Sequence, residues 1–311
     1  MATHFLSTHF ASFFGSLNPG SSFETTAASQ YNSIKELLEN TRGPAAILSP
    51  SCFLQGSYRQ QTAIYSINDV DIIALCQLWQ PGAAAGGRSF GRDDIFQIIA
   101  SALHADGRYR GKVNYGPGSM CIKVDLGIQV EILPVVFKAG NNEPQSEPFR
   151  LYRPERAVWE DGYARYHQQW LTWKNRNDKT GGNFIPAVKV VKHLRSRYGL
   201  DAVSFHIECL LFSIPDALFQ GSAADYIPAI LEYVASQSAA THFQNGCNTP
   251  CGERNIFSDS EWQFQKWQTF HNHVITWSRA ASAARGSANK SDAIRVWQAL
   301  LGDDHFPAQV S

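Results

Sequence analysis

Residues 54–75 read LQGSYRQQTAIYSINDVDIIAL, and their reading decides the fold. The stretch opens on Gly56-Ser57, and twelve positions after Ser57 comes Asp69, followed by Val70 and Asp71. From Val70 to Leu75 every residue but Asp71 is apolar and several are β-branched, which is the composition of a buried strand. Residues two apart on a strand project to one face, so Asp69 and Asp71 point the same way at its start. Neighbouring carboxylates repel unless a cation lies between them, and hard divalent cations take carboxylate oxygens. Gly56 lets backbone come close to a ligand, and Ser57 offers a hydroxyl and an N–H. A short helix over 57–62 would aim its N-terminus at a phosphate. A phosphate cradle followed by paired carboxylates is what nucleotidyl transfer requires.

Downstream, residues 111–137 (GKVNYGPGSMCIKVDLGIQVEILPVVF) read as strands. Ile122 and Val124 alternate with polar residues, Leu126-Gly127 turns, and 128–137 returns, which makes a hairpin. The returning strand carries Glu131, three residues before Pro134. Asp125 has the same parity and is the rival third acid, although it sits at the turn. Three carboxylates can hold two cations, with one acid bridging both.

Upstream, residues 1–42 read as helices that brace the back of the sheet. Phe5, Phe10, Phe13 and Phe14 make one apolar face, Ile34, Leu37 and Leu38 another, and Asn18-Pro19-Gly20 breaks between them. Residues 80–92 read as a Gly/Ala-rich loop, after which Asp93 or Asp94 caps a helix carrying Ile95, Phe96, Ile98, Ile99 and Leu103. Residues 138–160 read as a polar loop across the active-site mouth or a domain crossing. The rest is helical. One helix has Val188, Val191 and Leu194 on a face, Pro186 near its start and Gly199 at its end. A second follows from about Ser204 and ends before Pro215, and a third covers 223–236. Residues 242–254 read as a loop. Ser258 and Glu261 read as a capping box opening a long helix with Trp262, Trp267, Phe270, Val274 and Trp277. A last helix, capped near Ser291, carries Ile294, Trp297, Leu300 and Leu301 and stops at Gly302. The tryptophans recur at helical spacing, so they read as core.

Composition narrows the function. The 311 residues suffice for one large or two closely packed domains. Lys+Arg and Asp+Glu are both 27, and a balanced chain lacks the basic excess of proteins that grip long nucleic acid. No apolar run approaches the roughly 20 residues of a membrane helix. The N-terminus shows neither the basic region nor the apolar core of a signal peptide. Six scattered cysteines suit reduced thiols, so the expected compartment is the cytoplasm. Cys247, Cys251 and His242 lack a clear fourth ligand, so they read as loop residues and not as a zinc site.

GSYRQQT…NDVDI resembles the GS…DxD signature of the polymerase-β-like nucleotidyltransferases. The chain as a whole resembles the bacterial, DncV-like relatives of cyclic GMP-AMP synthase, the second-messenger oligonucleotide synthases of CBASS antiphage defence. The ending SDAIRVWQALLGDDHF is similar to that family's closing helix and tail. The resemblance implies an α/β (α+β) fold: a polymerase-β-like core sheet with a C-terminal helical lobe and the active site in the cleft between them. It implies a catalytic core over 1–160, with N-terminal bracing helices, and a lobe covering the nucleotide over 161–311. It also implies that Asp69, Asp71 and Glu131 hold two Mg²⁺ ions, with Mn²⁺ able to substitute. The family position is more often Asp, so Glu131 is a departure.

By the same resemblance, Gly56, Ser57, Lys192 and Ser204 contact the donor triphosphate and Phe205 stacks on a base. On residue grounds alone, Lys192 reads equally as a solvated helix lysine, Ser204 as an N-cap and Phe205 as core. The resemblance implies NTP substrates (ATP and GTP), a cyclic dinucleotide or trinucleotide product and a separate effector that senses it. The DNA-binding relatives carry a cysteine-rich zinc insertion, and residues 161–186 contain no cysteine. Two other classes stay open: a nucleotidyltransferase acting on RNA ends or a small molecule, and a non-catalytic nucleotide sensor.

Overall fold

Strand β2 (Asp69–Cys76) forms where the apolar run predicts it. It pairs antiparallel with β1 (Pro50–Gln55) and parallel with β5 (Gln129–Val136). The computed structural model describes residues 6–77, 90–138 and 147–310. Most of the Gly/Ala-rich loop expected over 80–92 lies outside them, as does Phe5.

β4 (Ile122–Asp125) turns at Leu126-Gly127 into β5, the expected hairpin, and β3 (Val113–Asn114) adds an edge. The sheet runs β1-β2-β5-β4-β3. Residues 138–160 depart from the expected loop. After the undescribed 139–146, β6 (Phe149–Arg153) and β7 (Val158–Gly162) form a hairpin, and β6 pairs with the end of β5. Alternating charges hid these strands, because Arg150, Arg153, Glu160 and Asp161 neutralise one another across them.

Strand parity sets what each face buries. Val70, Ile72, Ala74 and Cys76 pack in a core with Ile34 and Leu38 of α2 (Ser21–Glu39) and Ile95, Phe96 and Ile99 of α4 (Arg92–Ala105). Ile73 and Leu75 take the other face, with Val135 and Phe149. Asp69 and Asp71 belong to that second face, at the strand's open end. The cap of α4 is Gly91, and Asp94 accepts its N–H at 2.8 Å.

The chain divides into two compact units, each described by itself. A sheet unit comprises Pro19–Gln60 and Ser66–Tyr166, and a helical unit comprises Met1–Asn18, Gln61–Tyr65 and His167–Ser311. The expected bracing of the sheet holds for α2 but not for α1 (Ser7–Leu17). Phe10 and Phe13 of α1 lie in the helical unit's core, where the Phe10 ring centroid is 5.0 Å from Trp297 and 5.1 Å from Phe306. An aromatic face finds more aromatic area there than on a sheet of small β-branched residues.

The helical unit holds α5 (Ala164–Lys174), most of whose residues belong to it, α6 (Asn177–Thr180), α7 (Phe184–Arg197), α8 (Ser204–Phe212) and α9 (Ala223–Ala235). It continues with α10 (Ala239–Asn245), α11 (Phe264–Arg285) and α12 (Lys290–Leu301). Part of the loop expected over 242–254 is α10, capped by Ser238 through Thr241 N–H. The long helix begins later than expected, at Phe264 with Gln263 as its cap. Glu261 bonds instead to His206 and Arg254. Asn289 and not Ser291 caps the last helix, which ends at Gly302 with φ +93°. Trp262, Trp267, Trp277 and Trp297 are all buried core residues.

Candidate active site

The strand pairings line up the acids. In the parallel β2–β5 pair, Asp71 stands opposite Glu131 and Asp69 opposite Gln129. On the far side of each strand, Gln55 faces Asp71 and Lys123 faces Glu131. A polar row of Gln55, Asp71, Glu131 and Lys123 therefore crosses four strands on one face.

Gly56 closes the row. It has φ +73°, a region that glycine enters without strain. A methyl group there would meet Asp71 Oδ2 at 1.8 Å, so this position has room for no side chain. Gly56 opens α3 (Gly56–Arg59), a single helical turn that includes Ser57. The turn is shorter than the 57–62 expected, because Gln61 adopts φ +61° and stops it.

Three groups hold Glu131. Lys123 Nζ lies 2.9 Å from Oε1, Gln129 Nε2 donates to Oε1 at 2.6 Å, and Cys121 Sγ donates to Oε2 at 3.5 Å. Burial, and then the Glu131 charge, push the Cys121 thiol up to about 12. Partial desolvation of the Asp69 carboxyl, and then the Glu131 charge, raise it above the usual carboxylate value, against the backbone N–H groups of Asn68 and Asp69 and the charge of Lys123. The second of these causes is like-charge crowding, which a cation relieves. Asp125, the rival third acid, sits at the hairpin turn, where Oδ1 accepts Gly127 N–H at 3.3 Å.

The donor set suits Mg²⁺: hard carboxylate oxygens from two adjacent strands, beside a glycine with no side chain. Among the described residues no three His, Cys, Asp or Glu side chains converge as a ready cage. Glu131 is turned toward Lys123 and Gln129, and would exchange them for cations.

The remaining candidates belong to the helical unit. Lys192 is 1% exposed, and its Nζ lies 2.6 Å from Glu208 Oε1 and 2.8 Å from Thr62 Oγ1. It is thus neither a solvated helix lysine nor an open cation, but half of a buried ion pair. Ser204 is the first residue of α8, and Val203, not Ser204, is its cap. Phe205 is half-buried, with the His167 ring centroid at 4.9 Å and the Arg254 guanidinium 5.3 Å from its own centroid. In the zinc reading set aside, His242 Nε2 lies 2.9 Å from the Val234 carbonyl and Cys247 Sγ 3.7 Å from the Cys209 carbonyl.

Sequence reasoning missed Glu208, Thr62, His167, Lys123 and Gln129. Two signals were present. Glu208 is the lone acid in the apolar run FHIECLLF. Lys192 lies four residues after Val188, on the same buried helix face.

Residues 172–278 match the family model of the cGAS/DncV-like nucleotidyltransferase C-terminal helical domain. The chain is 22% identical over 271 residues to a cyclic UMP-AMP synthase of Rhodothermus marinus, covering 80% of this chain and 91% of that one. The structure of Escherichia coli MS115-1 CdnC with ATP superposes with a TM-score of 0.72 at 16% identity, covering 96% of this chain and 98% of that one. Vibrio cholerae DncV, a cyclic AMP-GMP synthase, gives 0.71 at 12% identity, covering 97% and 98%. The fold is that of these solved structures, and residues 172–278 are similar to the cGAS/DncV-like nucleotidyltransferase C-terminal helical domain.

Proposed function

We propose that this chain joins nucleoside triphosphates into a cyclic oligonucleotide second messenger, a cyclic dinucleotide or trinucleotide, in antiphage signalling. The observation that carries the reading is the register that sets Asp71 beside Glu131, two residues from Asp69, with Gly56 against Asp71. The relative named for cyclic UMP-AMP synthesis and the neighbours seen with ATP or GTP support NTPs as substrates.

Asp69, Asp71 and Glu131 are assigned to hold two divalent ions, Mg²⁺ or Mn²⁺. Such ions, when bound, supply neutralisation of the triphosphate and acidify an acceptor hydroxyl. Gly56 lets the Asp71 carboxylate lie against the backbone that opens the turn, and Ser57 offers phosphate a hydroxyl and an N–H. Ser204 is assigned to phosphate and Phe205 to a base, in the lobe over 161–311. An acceptor ribose hydroxyl attacks the α-phosphorus of the donor. A new P–O bond forms, the α–β P–O bond breaks, pyrophosphate leaves and the hydroxyl proton passes to water. A second such step on the linear product closes the ring. The product then acts on a separate effector. The buried place of Lys192 makes it a support of the lobe in this reading.

The test is product analysis. The purified protein is incubated with all four NTPs and Mg²⁺ or Mn²⁺, treated with phosphatase and examined by mass spectrometry. A phosphatase-resistant cyclic species, lost in Asp69→Asn/Asp71→Asn, is expected. Products only when RNA or a small-molecule acceptor is added would overturn the reading.

A further inference from the structure

The piece of chain between the Gly-Ser turn and the acid strand does not stay with the sheet. Its flanks, up to Gln60 and from Ser66, belong to the sheet unit, and Gln61–Tyr65 belongs to the helical unit. Thr62 is 0% exposed, and Ala63 and Ile64 are 5% and 4% exposed. The segment is fastened near both ends. Tyr65 N–H donates to the Leu17 carbonyl at 2.9 Å. Thr62 Oγ1 donates to Glu208 Oε1 at 2.6 Å and accepts from Lys192 Nζ at 2.8 Å.

Thr62 thus completes a buried network. Glu208 Oε1 also takes Lys192 at 2.6 Å, and His167 Nε2 lies 3.2 Å from Oε2. Burial alone would push Glu208 up, yet Lys192 and then His167 hold its carboxyl down, to about 2. A buried charge is tolerable only when paired and hydrogen-bonded, so α5, α7 and α8 are committed to these partners. Three chain steps separate Thr62 from Arg59, the last residue of the turn that carries Gly56 and Ser57.

We propose that Thr62 is a positioning residue for the reaction. With Glu208 and Lys192 it anchors the exit of the Gly-Ser turn, and so sets the affinity for the donor triphosphate. The inference rests on the proposed function of that turn. A turn released at its exit regains backbone freedom, which donor binding must then remove. Chemistry at the acids is untouched, so the cost falls on KM more than on kcat. A merely structural role would lower the folded fraction and hence kcat, with KM unchanged.

The experiment compares Thr62→Val, Thr62→Ser and the pair replacement Lys192→Met/Glu208→Met, which swaps the ions for apolar groups of similar length. Steady-state kinetics with NTP is read beside backbone amide exchange of residues 56–65. Thr62→Val is expected to raise KM about tenfold, the scale of one hydrogen bond to a charged group, with kcat within about threefold. Thr62→Ser restores KM. The pair replacement raises KM similarly, and Thr62→Val adds nothing to it. Amide exchange of 56–65 quickens in Thr62→Val. A wild-type KM in Thr62→Val, a loss confined to kcat, or full additivity with the pair replacement would each overturn the proposal. A wild-type protein that makes no product defeats the proposed function instead. The anchor is then judged by amide exchange alone, and unchanged exchange in Thr62→Val overturns it.

Discussion

In the sheet unit, Asp69, Asp71 and Glu131 crowd the open ends of two strands, and Asp69 is raised in pKa by burial and then by the Glu131 charge. In the helical unit, charges lie deeper and are matched. Lys192 is sealed against Glu208 and Thr62, while Lys174 Nζ donates to the Ile214 carbonyl at 2.7 Å and Asp216 at 2.8 Å. The first arrangement leaves electrostatic free energy for a ligand to relieve. The second has already used it to fix helices. Like charges held together point to a site, and opposite charges buried together point to a scaffold.

Two glutamates break or sharpen the contrast most directly. Glu208→Ala leaves Lys192 buried without its carboxylate, and should cost roughly 3–5 kcal/mol in denaturant unfolding. Glu131→Ala removes only a partly exposed pair with Lys123, and should cost less than about 1 kcal/mol while abolishing product formation. Equal destabilisation by the two would erase the distinction.

Acid should separate the units next. His193 is 1% exposed, and burial holds it down to about 4, against a hydrogen bond to the Leu301 carbonyl. The unfolded chain takes up this proton from about pH 6.5 downward and the folded chain resists it, so stability falls as pH drops from 6.5 toward 4. The full loss at this group is roughly 3 kcal/mol. His9, His242 and His271 are lowered in the same direction by burial. Asp69 runs the other way: its folded value is raised, so it stabilises at low pH and loses that contribution as pH rises through the folded value. Thermal melts at pH 8 and pH 5 should show the acid loss, reduced in His193→Gln, while Asp69→Asn should raise the melting temperature at pH 7. A loss at pH 5 that His193→Gln leaves whole would assign it to other groups.

A stability effect between those of Glu208 and Glu131 is expected at Gly56. Gly56→Ala forces a left-handed backbone on a residue with a Cβ, a cost of about 1–2 kcal/mol, and drives its methyl into the Asp71 carboxylate. Melting should fall by a few degrees, and product formation should fall far more. Wild-type activity in this variant would separate Gly56 from the site.

Much of the sheet was legible because period-two patterns are local. Val70 to Leu75 and the Leu126-Gly127 turn read directly as β2 and the β4–β5 hairpin. The β6–β7 hairpin was not legible, since charges that pair across its strands interrupt the short apolar alternation of Phe149 and Leu151. Ser258 and Glu261 had the spacing of a helix cap, but Glu261 is drawn to His206 and Arg254 instead. Local spacing there lost to distant charge.

By itself the sequence determined the Gly-Ser turn, the acids Asp69 and Asp71 on one strand face, and Glu131 on a returning strand. Those features depend on neighbours within a few residues, through backbone conformation and strand parity. Only the tertiary structure decided that β2 and β5 pair parallel with Asp71 beside Glu131, that α1 joins the helices and that Lys192 is sealed by Glu208 and Thr62. Thr62 and Lys192 are 130 residues apart, and no local pattern encodes a contact that exists only because burying one charge requires its opposite.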